Sequence, residues 1–345
     1  MKALSIQSYL TIYCSIILII LLGVGLLNRL IDPLWYFQGN QLTGINLPWN
    51  ERITKTNQLL QRIDQYDCVL MGTSRSTLFN TELLQQNRCF NYSFSGGRIE
   101  EYINYAEYLK SLPIQPQKIY LEIELESLNR RKQSRTYPAV TDPMPVYQAY
   151  LLSANVLQLS YRTLIQDFGF ARWYDSAFRG IVAPSAPTYE PELRDRHPPR
   201  TCDPDRLRLY QQLRQIFPEA EWIGYVAPVS AWYVFNDSYL PGLLDCQLAG
   251  MKEIARLLDG LYDFAVPSAL TSRTDNTYDG NHYYPAVYEQ VAVRLEGQST
   301  DPGMTDFGVN VQQLNLLDYQ ALYQQRLQTF LSQVGESDRL ADSAD

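Results

Sequence analysis

The chain opens with a long apolar run, and short apolar strands then alternate with helical segments. Residues 10–27 (LTIYCSIILIILLGVGLL) carry no charge. At about 1.5 Å per residue they span roughly 27 Å, which matches the hydrocarbon core of a bilayer. The run has no polar face, as a buried helix would have, and Asn28-Arg29-Leu30 follows it. It predicts an uncleaved membrane anchor over residues 1–30, with a cleaved signal peptide or a buried helix as the alternatives.

The rest of the chain has the rhythm of an α/β protein. Apolar runs bounded by turn residues predict buried strands, and apolar positions at helical spacing predict helices between them. The predicted strands are 68–71, 89–93, 118–125, 222–227 and 262–266, and the predicted helices are 56–66, 76–86, 98–111, 205–216, 243–258, 285–295 and 310–333. Such alternation predicts a three-layer fold, in which helices flank a mainly parallel sheet.

Breaks in this rhythm predict the domain organisation. Residues 31–55 are irregular and predict a stalk or linker, and residues 56–300 hold the α/β domain. Residues 129–200 are rich in proline and aromatic residues, with a helical run over 147–168. We expect them to be an insertion that packs against the domain as a lid or substrate wall. Residues 301–345 predict a C-terminal helix and a frayed polar tail.

Composition narrows the function classes. The chain has 345 residues, of which 46% are hydrophobic and 19% charged, so a sizeable core is expected. A formal net charge of −8 argues against nucleic acid as a partner. Two histidines exclude a His-rich metal site, and the five cysteines form no CxxC pair, so we expect neither a metal nor another cofactor. Outside the cytoplasm, four of the cysteines have two open alternatives, disulfides or buried free thiols: Cys68, Cys89, Cys202 and Cys246.

A serine follows the first predicted strand, in the turn Gly72-Thr73-Ser74-Arg75-Ser76. Active sites of parallel sheets lie at the carboxyl ends of the strands. A glycine allows a sharp bend there, and Ser74 at the N-terminus of the next helix would have the exposure that a nucleophile needs. The alternative is that Ser74 only caps that helix.

A candidate base and a candidate acid lie just before the helix predicted at 285–295. Asp279 and His282 are three residues apart in a turn, so the carboxylate can orient the imidazole toward Ser74. The alternative is a surface turn followed by a helix cap. The other histidine, His197, is expected to be a solvated loop residue.

Glycines follow the second predicted strand, in the run Asn91-Tyr92-Ser93-Phe94-Ser95-Gly96-Gly97. Backbone N–H groups at such a strand end can stabilise an oxyanion. The alternative is a tight turn that needs a positive φ.

In this order the motifs GTSR, NYSFSGG and DGNHY resemble the SGNH/GDSL hydrolase superfamily, whose fold is flavodoxin-like. The resemblance covers about residues 60–130 and 220–296. It implies Ser74 as nucleophile, His282 as base and Asp279 as its orienting acid. It also implies an oxyanion N–H from Gly96 or Gly97.

Two departures from the superfamily pattern stand out. Thr73 replaces the aspartate of the GDS motif, and no GxND follows the third strand, so Asn129 is the nearest candidate for the missing oxyanion asparagine. Arg75, beside the nucleophile, has two alternatives: it binds an anionic group of the substrate, or it pairs with an acid on the surface.

The resemblance extends to membrane-anchored bacterial members, the DltD-like cell-envelope modification proteins. It implies an extracytoplasmic esterase or O-acyltransferase that forms an acyl-serine on a cell-envelope glycan or glycolipid. The membrane and other envelope-assembly proteins are then the expected partners. Lys2 and Arg29 nearly balance across the anchor, so an N-terminus inside the cytoplasm is expected mainly from the resemblance. The alternatives are a non-catalytic scaffold or polymer-binding subunit and, third, a phospholipid esterase.

Overall fold

The computed structural model describes residues 5–125, 128, 150–166, 169–194, 201–238, 243–298 and 305–342. The predicted oxyanion residue Asn129 and His197 lie outside them, as does much of the predicted insertion. The chain divides into two compact units. In described residues, the first unit holds 5–61, 150–166 and 169–186, and the second holds 62–125, 128 and the described residues from 187 onward. The predicted domain boundaries stay predictions.

Helices and strands alternate along most of the described chain. The helices are α1 Ile6–Ile31, α2 Glu51–Gln61, α3 Ile99–Lys110, α4 Ala154–Leu164, α5 Leu207–Ile216, α6 Ala231–Tyr233, α7 Leu243–Ala255, α8 Pro285–Leu295 and α9 Leu316–Asp342. The strands are β1 Cys68–Met71, β2 Cys89–Asn91, β3 Lys118–Glu122, β4 Arg172–Tyr174, β5 Gly180–Val182, β6 Glu221–Val226, β7 Gly260–Asp263 and β8 Val309–Asn310.

The first unit contains the apolar N-terminal helix. The Ser5 side chain caps α1 by accepting the Ser8 N–H. Its most apolar 18-residue window has a mean hydropathy of 2.7 and is not buried, so α1 is long enough and apolar enough to cross a membrane. Near the other end of α1, the Asn28 amide donates to the Leu151 carbonyl at 2.8 Å, ahead of α4. The antiparallel pair β4–β5 belongs to this unit and was not predicted.

The second unit is built on a six-stranded sheet in the order β2-β1-β3-β6-β7-β8, with helices on both faces. Every pairing is parallel except that of β8 with β7. The predicted three-layer α/β fold with a mainly parallel sheet is therefore confirmed. Counted along the chain, the five parallel strands run 2-1-3-4-5, which is the flavodoxin-like order. Connections reverse direction between β1 and β3, and the crevice at their carboxyl ends is where such sheets bind ligands.

The prediction of a helix at residues 76–86 is wrong. Two 3₁₀ turns, Arg75–Leu78 and Thr81–Leu83, stand in its place. The Asn91 side-chain amide donates to the carbonyls of Ser76 and Phe79, at 2.8 Å each. The Ser76 carbonyl also accepts the Phe79 N–H at 3.1 Å, so this segment has 3₁₀ and side-chain hydrogen bonds in place of α-helical ones. The turn after β1 consequently lacks the helix dipole expected behind Ser74.

Other elements also differ from their predicted bounds. The helix predicted at 56–66 begins five residues earlier, because the buried side of α2 is largely polar and gives little apolar signal. In the predicted run 147–168 the described helix is α4, and its buried positions include Ser160 and Thr163. β8 escaped prediction because it is only two residues long. α9 extends to Asp342, nine residues beyond the predicted end of the C-terminal helix at residue 333.

Four cysteines are paired in the second unit. Cys68 on β1 is bonded to Cys89, its register partner on β2, and Cys202 is bonded to Cys246 on α7. Of the two alternatives left open by the sequence, the structure has the disulfides. Cys14 on α1 is free and exposed.

A buried carboxylate joins the sheet to the C-terminal helix. Asp263, the last residue of β7, accepts hydrogen bonds from the Tyr319 hydroxyl on α9 and from the Ala265 N–H. Burial raises the pKa of Asp263 to about 6, against the opposing effect of these hydrogen bonds.

Candidate active site

Ser74 lies in the turn that leaves β1, at the carboxyl edge of the sheet. Its backbone is in the right-handed helical region, and the 3₁₀ turn Arg75–Leu78 follows it. Its side chain is half-buried among residues that are mostly buried. The Ser74 Oγ lies 2.8 Å from the Nε2 of His282, 208 residues further along the chain.

Asp279 completes a hydrogen-bonded chain behind the histidine. Its Oδ2 lies 2.7 Å from the His282 Nδ1, and its Oδ1 accepts the backbone N–H groups of Asn281 and His282. A proton on Nδ1 satisfies the carboxylate and leaves Nε2 as acceptor for the Ser74 hydroxyl. Burial opposes ionisation of Asp279, but the hydrogen bond and charge of His282, with the two N–H groups, hold its pKa below the usual value.

The loop that carries these two residues is held from both sides. The Thr277 hydroxyl donates to the His282 carbonyl at 2.7 Å and accepts the Gly280 N–H at 3.0 Å. Gly280 has a φ of 75°, and a Cβ there would lie 2.4 Å from the Tyr189 ring. Tyr189 belongs to the predicted insertion, and its hydroxyl is 2.6 Å from the Ser230 hydroxyl. Tyr189 therefore lies beside the turn, and the role of the insertion as a lid or substrate wall stays a prediction.

An aromatic ring covers the candidate base. Tyr278 stacks on the His282 imidazole with an interplanar angle of 3° and 5.4 Å between ring centroids. Tyr278 is buried, whereas the His282 side chain keeps 13% of its surface exposed. The stacked ring limits the rotation of the imidazole and leaves its Nε2 facing Ser74.

The predicted oxyanion glycines lie in the turn after β2, beside the turn after β1. The Phe94 N–H donates to the Gly72 carbonyl at 3.0 Å, which joins the two turns. Gly96 is exposed with a φ of 62°, as a tight turn requires. Gly97 allows a close approach instead, because its Cβ would lie 2.5 Å from the Tyr102 hydroxyl. Its N–H already donates to Phe94 at 3.1 Å, so binding an oxyanion there would mean exchanging this bond.

Arg75 is buried rather than turned to the surface. Its Nε donates to the Asn281 Oδ1 at 2.7 Å, and its Nη1 lies 3.9 Å from the Glu122 Oε1. The guanidinium also lies over the Tyr233 ring, 5.7 Å from its centroid. The acid near Arg75 is thus a core residue at the end of β3, so the alternative in which Arg75 pairs with an acid on the surface is wrong.

Gly72 is required by packing. A Cβ at this position would lie 2.6 Å from the Glu122 Oε2 and 2.8 Å from the Ser76 side chain. Its φ is not in the left-handed region. The glycine before the candidate nucleophile therefore makes room for a carboxylate from the neighbouring strand, in addition to any role in the bend.

The motifs did not identify Glu122 or Asn281. Glu122 lies in the run KIYLEIEL of the third predicted strand, and every residue of β3 is buried. The feature of the sequence that could have identified Glu122 is a carboxylate inside a predicted buried strand. Asn281 sits inside the Asp-x-x-His motif, where only the ends were considered. Among the described residues, no group of three or more histidine, cysteine or carboxylate side chains could hold a metal ion.

Comparisons with known proteins add little to this geometry. No protein-family model matches the chain, and no curated protein matches it. A solved structure described as "a putative platelet activating factor from Streptococcus pneumonia" is similar, with 10% identity and a TM-score of 0.37. The match covers 79% of this chain and 97% of that one. At this level of similarity, only the site's own geometry bears on the chemistry.

Proposed function

We propose that this chain is a membrane-anchored, extracytoplasmic serine esterase or O-acyltransferase that acts on a cell-envelope glycan or glycolipid. One observation carries the proposal, the hydrogen-bonded chain from Asp279 through His282 to Ser74 at the carboxyl edge of the sheet. Nucleophile, base and orienting acid in this arrangement are what acyl transfer through serine needs.

The chemistry follows from the order of the hydrogen bonds. His282 Nε2 accepts the Ser74 proton while Oγ bonds to the ester carbonyl carbon, and Asp279 stabilises the imidazolium that forms. The imidazolium then gives this proton to the leaving alcohol as the ester C–O bond breaks, which leaves an acyl-serine. Water or a sugar hydroxyl attacks the acyl-serine with His282 again as base, giving hydrolysis or transfer. Backbone N–H groups near Gly96 and Gly97, with Asn129, are the proposed oxyanion donors.

Two features support a location outside the cytoplasm. The length and apolarity of α1 suit an anchor, although a signal sequence has the same properties. Cys68–Cys89 and Cys202–Cys246 are disulfides, which persist mainly in oxidising compartments. An anchor keeps the domain at the membrane face, where envelope glycans and glycolipids are found. The nature of the polymer rests on the superfamily resemblance.

Labelling with a fluorophosphonate probe tests this function. In full-length protein in detergent, Ser74 Oγ should displace fluoride and bond to phosphorus, and mass spectrometry of the labelled peptide should locate the adduct at Ser74. Ser74→Ala should abolish labelling and His282→Ala should slow it strongly. Well-folded wild-type protein that is never labelled would contradict the proposal and favour the non-catalytic scaffold.

A further inference from the structure

A buried carboxylate contacts the turn that carries the candidate nucleophile. Glu122 is the last residue of β3, is 2% exposed, and stands at the switch point between β1 and β3. Its neighbour Leu121 pairs with Met71, the last residue of β1. The side chain therefore meets the Ser74 turn where that turn leaves the sheet. Burying such a group costs free energy unless its oxygens are well hydrogen-bonded.

The carboxylate oxygens of Glu122 accept hydrogen bonds from residues on both sides of Ser74. Oε2 accepts the backbone N–H of Thr73 at 2.7 Å, and Oε1 accepts the Thr73 hydroxyl at 2.6 Å. Oε2 also accepts the hydroxyl of Ser76. One carboxylate thus fixes the residue before Ser74 and the residue two positions after it.

A tyrosine on the next strand sets the direction of the Ser76 hydrogen bond. Tyr225 on β6 is the register partner of Glu122, and its hydroxyl is bonded to Ser76. Burial, and then the Glu122 charge, raise the pKa of the Tyr225 phenol well above its usual value, so the phenol keeps its proton. Tyr225 therefore donates to Ser76, and Ser76 donates to Glu122.

The same carboxylate reaches the loop that carries the candidate base. Arg75 Nη1 lies 3.9 Å from Glu122 Oε1, and Arg75 Nε donates to Asn281. Asn281 directly precedes His282. The residue after the nucleophile is therefore joined to the residue before the base, in addition to the Oγ–Nε2 contact itself.

We propose that Glu122 is a positioning residue, which holds Ser74 against His282 through Thr73 and Ser76 on one side and through Arg75 and Asn281 on the other. This inference rests on the proposed function. It also assigns Arg75 to this bridge and not to an anionic group of the substrate. A bridge of this kind sets the rate of attack by Ser74 and leaves the binding of a small probe unchanged.

The test is the inactivation of full-length protein by the fluorophosphonate probe, resolved into kinact and KI at one neutral pH. Glu122→Gln keeps the shape but removes the charge and half of the acceptor capacity. A misplacement of about 1 Å can cost a hundredfold in rate, so we expect kinact to fall about tenfold to a hundredfold. KI should stay within about twofold of the wild-type value, since the probe-binding surface is untouched.

Thr73→Val, with its partner Thr73→Ser, repeats the test without changing a charge. The valine variant keeps the shape of the side chain but loses the hydroxyl that donates to Glu122. We expect its kinact to fall about tenfold, as misplacement of the turn implies. The serine variant, which keeps the donor, should recover most of that loss. A purely structural role in packing would affect the two variants in the reverse order, because serine leaves a cavity and valine does not.

Asp263→Asn is the matched control, since Asp263 is an equally buried carboxylate at the end of another strand of the same sheet. We expect it to change thermal stability but not kinact. The inference is overturned if Glu122→Gln retains the wild-type kinact, or if Asp263→Asn lowers kinact as much. If wild-type protein is not labelled at all, the proposed function itself fails, which is a separate outcome.

Discussion

Gly72→Ala is the sharpest small change that the structure offers, because the new methyl group would enter the contact between Ser76 and Glu122. The added Cβ would lie 2.6 Å from Glu122 Oε2, whereas ordinary contacts begin near 3.4 Å. The carboxylate must therefore move by about 0.8 Å. Its hydrogen bond to the Thr73 N–H, now 2.7 Å long, cannot survive such a movement unchanged.

Two magnitudes follow from this displacement. Overpacking of a well-packed core costs about 1–3 kcal/mol of unfolding free energy. In a domain of this size, the melting temperature should therefore decrease by an amount between a few degrees and about 10 degrees. The fluorophosphonate labelling rate should fall about tenfold to a hundredfold, because the displaced turn carries Ser74. Both quantities can be measured on one preparation, by thermal unfolding and by timed labelling.

Gly335→Ala is the control for the loss of a glycine as such. Gly335 lies in α9, and a Cβ there would meet nothing within 4 Å. The intrinsic helix propensity of alanine should make this variant about 1 kcal/mol more stable, with unchanged labelling. Wild-type melting temperature and labelling rate in Gly72→Ala would refute the packing role assigned to this glycine.

Three further predictions concern the acid, a disulfide and a buried carboxylate. Asp279→Asn should slow labelling by about 10³ to 10⁴, because a neutral amide neither orients His282 as the carboxylate does nor stabilises the imidazolium. A decrease in labelling rate of less than tenfold would contradict this. Replacing Cys68 and Cys89 together by alanine should cost about 3 kcal/mol of unfolding free energy, from the 21-residue separation that the bridge spans, as measured by urea unfolding. Asp263, with a folded pKa of about 6 above its usual 3.8, favours folding below pH 4 and loses that contribution as pH rises to 6. Asp263→Asn should therefore gain stability relative to wild type over that range, and parallel pH profiles of the two proteins would contradict the assignment.

The sheet was predictable because its strands are short apolar runs bounded by turn residues. Ser74 and His282 were found for the same reason, since one directly follows a strand and the other closes a motif of fixed spacing just before a helix. The carboxyl ends of parallel strands meet at one edge, so residues 208 positions apart come within 2.8 Å. Local sequence pattern and sheet topology together were therefore sufficient to predict the parallel sheet and the positions of Ser74 and His282.

The supporting residues escaped prediction because their partners are remote in sequence. In the segment where a helix was expected after Ser74, the Asn91 side chain donates hydrogen bonds to two carbonyls that lie 12 and 15 residues before it. Glu122 is bonded to a turn 49 residues away, and Arg75 to an asparagine 206 residues away. No local period signals such contacts. The polar inner side of α2 hid the true start of that helix in the same way, since burial was inferred from apolarity.

Formation of an acyl-enzyme on Ser74 tests the central claim most directly. Full-length protein is mixed with a p-nitrophenyl ester, quenched in acid within the first turnover and analysed by intact-mass and peptide mass spectrometry. We predict one acyl group per chain, located on Ser74, absent in Ser74→Ala and formed far more slowly in His282→Ala. An acyl group on another residue, or none in folded wild-type protein, would contradict the claim that Ser74 is a nucleophile activated by His282 and Asp279.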